Sequence, residues 1–104
     1  MKVNENRQAF ITVRPVDRNG VLYTPTTARY RLDDHKTKQA IIAWTSIVTM
    51  STSMLITIPA TSNTILNDSN AREKKVVTVE TDFGTATANT EDYEYWLQNL
   101  RFVS

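Results

Sequence analysis

Residues Thr27 to Thr45 read TARYRLDDHKTKQAIIAWT. Ala28, Tyr30 and Leu32 alternate with Arg29 and Arg31, the period of two that gives a strand one dry face and one wet face. Asp33 to Lys38 is a polar reversal, and a second strand follows and ends on Trp44. The stretch is therefore a β-hairpin, and the indole of Trp44 is expected to fill a core.

The same alternation recurs on both sides. Ala9 to Arg14 places Ile11 and Val13 on one face and Phe10, Thr12 and Arg14 on the other, and Pro15 marks it as an edge because proline cannot donate to a ladder. Asp17 to Gly20 is a turn in which Asn19-Gly20 tolerates positive φ angles, and Val21 to Thr24 is a short extended piece before Pro25. Ser46 to Thr52 is a connection that tucks in Ile47 and Met50. Ser53 to Ile58 turns Met54, Ile56 and Ile58 to one side and stops at Pro59. Thr61 to Glu73 is unpatterned apart from Ile65 and Leu66, which suits a crossover between sheets better than a hairpin, with one helical turn and an apolar plug. Lys75 to Thr81 sends Val77 and Val79 inward and Val76 and Thr78 outward. After a reversal at Asp82-Phe83-Gly84, the last strand runs from Asp92 to about Asn99. Tyr93, Tyr95 and Leu97 share one of its faces and Glu94, Trp96 and Gln98 the other, with Leu100 and Phe102 closing the core below.

Two glycines and three prolines in 104 residues, with a heavy load of threonine and valine and no sustained 3.6 period, specify an all-β chain. About 100 residues bury enough apolar surface for one core without staples. The expected architecture is an immunoglobulin-like (fibronectin-type-III-like) β-sandwich of about seven antiparallel strands, with a small closed barrel as the alternative. Residues 1–8 are polar and form a flexible arm, and residues 9–104 a single sandwich domain. On the immunoglobulin pattern the first two strands and Ser53 to Ile58 share one sheet. Ala40 to Trp44, Lys75 to Thr81 and Asp92 to Asn99 share the other.

Composition narrows the chemistry. Twelve basic and eleven acidic residues give a net charge of +1, so no bulk field selects nucleic acid. No cysteine is present, which removes disulfides, thiolate zinc sites and thiol nucleophiles together. The start of the chain lacks the apolar region of a signal peptide and no run approaches the roughly 18 residues that span a bilayer. Synthesis in the cytoplasm and no membrane partner are expected, and the sequon Asn67-Asp68-Ser69 then has no glycosylation route.

His35 beside Asp33 and Asp34 could form an acid/base pair or two metal ligands, but an exposed turn explains all three. Glu91, Asp92 and Glu94 read as a solvated face, since no glycine-bearing loop surrounds them to shape a calcium site. Arg29 and Arg31, and Arg72 with Lys74 and Lys75, are the basic clusters. Stacking on bases would need aromatics interleaved with them in phase, and Tyr30 falls out of phase. No phosphate loop, nucleophile elbow or zinc signature occurs. The expectation is no enzyme, no metal, no cofactor and no nucleic acid. What remains is an outer face on which Ile41, Val76 and Trp96 would make a protein-contact patch. A register one residue different would instead put Trp96 in the core.

The runs TARYRLDD, IIAWTSI, SMLITIPATSNTILNDSNAREKKVVTVETDFG and EDYEYWLQNL resemble a group of small tailed-bacteriophage virion structural proteins with an immunoglobulin or fibronectin-type-III-like fold. The similarity runs from about Phe10 to Leu100 and is carried by Tyr30 to Asp34, Trp44-Thr45, Ile58-Pro59-Ala60 with Asn63 and Ile65, Val77 to Val79, and Tyr93 to Leu100. It implies a non-enzymatic structural or assembly protein of the head, neck or tail, located in the virion, present in several copies or as a homo-oligomer, and touching other virion proteins. A carbohydrate- or receptor-binding module of a phage tail is the alternative.

Overall fold

The computed structural model describes residues 1–17, 19–82, 85 and 88–100. Within them the chain is all-β, with strands β1 (Lys2–Asn4), β2 (Ala9–Val13), β3 (Ala28–Asp34), β4 (Ala40–Ser46), β5 (Met54–Ile58), β6 (Arg72–Thr81) and β7 (Asn89–Gln98), and one 3-10 turn at Ala60–Ser62. Among the described residues no helix is long and apolar enough to cross a membrane. The strands form a five-stranded sheet in the order β1-β7-β6-β3-β4 and a two-stranded sheet of β2 and β5. The predicted reversal at Phe83-Gly84 and the core role of Phe102 fall outside the described residues.

Alternation decides which side chains meet between the sheets. Ala9, Ile11 and Val13 of β2 and Met54, Ile56 and Ile58 of β5 join Val3, Ala28, Leu32, Val77, Val79, Tyr95 and Leu97 of the larger sheet in one buried cluster. Complete burial of a valine, leucine or isoleucine contributes about 1.5–3 kcal/mol, so this cluster is the main cohesive element. Ile47, Met50 and Ile65 pack against it, as their isolated apolar character in polar connections predicts. The crossover expected at Thr61 to Glu73 carries the chain from β5 in the small sheet to β6 in the large one.

Four expectations change. Residues 1–8 contain β1, which pairs parallel with β7 through Lys2↔Trp96, Val3↔Leu97 and Asn4↔Gln98, so the sheet is mixed. The physical reason is Val3, which apart from the exposed Met1 is the one apolar residue of a polar stretch, and which is 9% exposed and joins the core. Asn6, with φ of 61°, then turns the chain from one sheet to the other, a backbone state that asparagine tolerates better than most residues. Second, β3 lies between β6 and β4 in the large sheet and not beside β2 and β5. Its full antiparallel register with β6, from Ala28↔Thr81 to Asp34↔Lys75, makes it a central strand.

Third, Trp44 is outside. The β3–β4 register shifts between Tyr30 and Leu32 and again between Leu32 and Asp33. Each irregularity alters the parity that a regular hairpin would have kept. Trp44 therefore lies 37% exposed over the guanidinium of Arg29, 4.3 Å from its ring centroid. Fourth, Leu100 is 40% exposed and closes nothing.

Candidate interaction surface

The outer face of the five-stranded sheet is built by the out-facing positions of β3, β6 and β7. Strand register sets Arg29 opposite Glu80, Arg31 opposite Thr78 and Asp33 opposite Val76. On the other side Lys74 stands opposite Trp96 and Val76 opposite Glu94. Nearest neighbours of opposite charge pair up. Arg29 donates to Glu80 Oε1 from Nε at 3.0 Å and Nη2 at 2.7 Å, and Arg31 donates to Asp33 Oδ1 at 3.2 and 2.9 Å. Lys74 Nζ lies 2.6 Å from Glu94 Oε2. Two tryptophans bracket this ladder. Arg29 and Arg31 sit 4.3 and 5.6 Å from the Trp44 centroid, and Arg72 and Lys74 sit 4.4 and 5.4 Å from that of Trp96.

Of the three residues expected to form a contact patch, Val76 and Trp96 reach this face as diagonal neighbours. Ile41 does not join them, because it packs against the core at the β4 edge. Val76 stands between Asp33 and Glu94, so charge separates the apolar groups. His35 and its neighbours occupy the β3–β4 turn. His35 is exposed, and its backbone N–H donates to the Lys74 carbonyl at 3.0 Å. Of the acidic run on β7, Glu91 accepts the Tyr93 hydroxyl at 2.6 Å, Glu94 pairs with Lys74, and Asp92 is exposed.

One end of this face opens into a cleft of about 860 Å³ between the β3–β4 turn and the crossover loop. Its rim carries His35, Lys36, Lys38 and Asn67, with Arg72 and Trp96 on the β6–β7 side. A buried ionic triad braces both walls. Lys75 is 0% exposed, and its Nζ donates to Asp34 Oδ1 at 2.8 Å and to Glu73 Oε1 at 3.1 Å. Asp34 Oδ2 also accepts the N–H and hydroxyl of Thr37, each at 2.9 Å, which shapes the turn. Glu73 accepts the backbone N–H groups of Leu66 and Asn67 at 2.8 and 3.1 Å and the Asn70 side-chain amide at 2.9 Å, which shapes the loop.

Burial works to raise the pKa of Asp34, and the hydrogen bonds from Lys75 and Thr37 outweigh it, so the group titrates below its ordinary value. Burial likewise opposes ionisation of Glu73, and bonds from Leu66, Asn70 and Lys75 overcome it in the same direction. Both carboxylates therefore stay ionised against their one ammonium. Reasoning from the sequence places Asp34 in a solvated turn and Lys75 in a basic cluster, so it misses the triad. The available signal was parity, because Lys75 alternates with Val77 and Val79, and Asp34 with Leu32.

The small sheet presents a different surface. Phe10 and Thr12 of β2 stand beside Thr57 and Leu55 of β5, which makes Phe10 and Leu55 diagonal neighbours. They are 54% and 61% exposed. Among the described residues neither strand has a further partner, so both edges of the small sheet are open. Their outward direction was readable from the sequence, but their adjacency was not.

No protein-family model, curated protein or solved structure matches this chain.

Proposed function

We propose that the chain is a non-enzymatic structural or assembly protein of a bacteriophage particle, an immunoglobulin-like module of the head, neck or tail that works through protein contacts. The strand order supports the immunoglobulin-like reading. A β7-β6-β3-β4 sheet facing β2-β5 matches the G-F-C-C′ and B-E strands of variable-type domains. The observation that carries the functional reading is the face of β2 and β5, where Phe10 and Leu55 are adjacent, large, and more than half exposed beside two open edges. A two-stranded sheet of this kind gains most by being covered, since exposed edges template pairing and exposed aromatics anchor interfaces. The partner is another copy of the chain or a neighbouring virion protein. Residence in the virion after synthesis in the host cytoplasm follows from this reading.

The test is sedimentation across a concentration series, together with retention by purified capsid and tail proteins, for the native chain and a Phe10→Ser, Leu55→Ser double variant. The expected result is a defined oligomer or a retained complex that the double variant loses while its circular dichroism is unchanged. A native chain that stays monomeric and binds no virion protein overturns the reading, as does a double variant that assembles normally.

A further inference from the structure

Each tryptophan of the large sheet carries a stacked arginine, and the two arginines differ in what meets their in-plane donors. At the Trp44 corner, Arg29 is stacked 4.3 Å from the ring centroid and its Nε and Nη2 both grip Glu80 Oε1. At the other corner, Arg72 is stacked at 4.4 Å on Trp96, yet among the described residues no carboxylate lies within ion-pair distance of it. Stacking satisfies the face of a guanidinium and leaves its in-plane donors for a planar acceptor. Arg72 lines the cleft whose rim also carries Lys36 and Lys38, neither of which is in an ion pair among the described residues.

We infer that this cleft is a binding site for a carboxylate-bearing, acidic peptide segment of a partner protein. In it Arg72 holds one carboxylate in its fork, and Lys36 and Lys38 attract its neighbours. Glu80 at the twin corner identifies the group that such a fork takes here. The Lys75 triad prepares the site, since Asp34 orders the turn bearing Lys36 and Lys38, while Glu73 orders the opposite wall. Rigid walls reduce the ordering that binding would otherwise have to impose. A peptide is favoured over a nucleobase or a neutral sugar because the Trp96 ring is already occupied by two cations, Arg72 and Lys74, and those ligands stack on free rings. The site does not depend on the apolar face of β2 and β5, so either can fail while the other stands.

The experiment is a fluorescence-anisotropy titration of the whole chain with a labelled Asp/Glu-rich octapeptide. The matched Asn/Gln peptide, inorganic phosphate, single-stranded DNA and a neutral oligosaccharide serve as competitors. The variants are Arg72→Lys, which keeps charge but loses the fork, Lys36→Gln with Lys38→Gln, and Arg29→Lys as the control at the twin corner. All four changes lie at exposed or half-exposed positions, and circular dichroism checks their folding. The expected result is saturable, salt-sensitive binding of the acidic peptide that weakens about tenfold in Arg72→Lys, the scale of one charge-assisted hydrogen bond, and weakens in the lysine pair. Arg29→Lys should leave it unchanged. Absence of binding, equal loss in Arg29→Lys, or effective competition by phosphate, DNA or the neutral sugar would overturn the proposal.

Discussion

Lys75 shows how much one buried residue can hold. Its ammonium is shared by Asp34 and Glu73, which between them fix a turn and a loop on opposite walls of the cleft. Lys75→Met leaves two carboxylates buried without their cation, and such half-broken pairs cost about 3–5 kcal/mol. Chemical denaturation should report a loss on that scale. Trp44 makes the opposite case. A core tryptophan would cost about 3–5 kcal/mol when truncated, whereas an exposed cation–π partner costs about 0.5–1 kcal/mol. Denaturation of Trp44→Ala is expected to show the smaller value. At this scale the sequence was legible wherever a side chain's role is set by parity, as for Tyr95, Leu97 and Val77. It was not legible where the partner is distant: parity turns Asp34 and Lys75 inward, but they are 41 positions apart, and nothing local says that they meet.

Among elements, β1 departs most from the expectation drawn from its composition. Three residues with one apolar side chain have little strand propensity of their own, and tertiary contact supplies the rest. The Trp96 backbone N–H donates to the Met1 carbonyl at 3.0 Å, and the Glu5 N–H to the Gln98 carbonyl at 2.9 Å. Removing residues 1–4 should accelerate hydrogen exchange at the Trp96 amide, read by NMR, and cost about 1–2 kcal/mol through loss of Val3 burial. An unchanged exchange rate would mean that the pairing is not formed in solution. The longer strands were readable because five to ten alternating residues carry a period that noise does not imitate. For β4 the type of element was readable but not its facing, since two register irregularities with β3 reset the alternation midway. The same limit applies to the candidate site. Trp96 and Val76 share a face because β6 and β7 pair regularly, while Ile41 on irregular β4 leaves it.

For the whole molecule, the triad couples stability to pH. Asp34 and Glu73 titrate lower in the folded chain than their ordinary values of 3.8 and 4.5. A lowered folded-state pKa means that the unfolded chain binds protons first. The associated stability is therefore fully present above the ordinary values and drains away as pH falls through them toward the folded-state ones. Thermal melting should be flat down to about pH 5 and fall below it. An Asp34→Asn variant, less stable throughout, should show a shallower fall. By itself the amino-acid sequence determined that this chain is all-β, where most strands lie, and which apolar side chains of the regularly paired strands face inward, because those properties follow from local alternation and from turn chemistry. Only the tertiary structure decided which strand sits beside which, where the short N-terminal strand docks, that Trp44 faces outward, and that three charges meet in the core. Those outcomes depend on pairing between segments far apart in the chain, and pairing is set by the total burial and hydrogen bonding of the fold, which no local window contains.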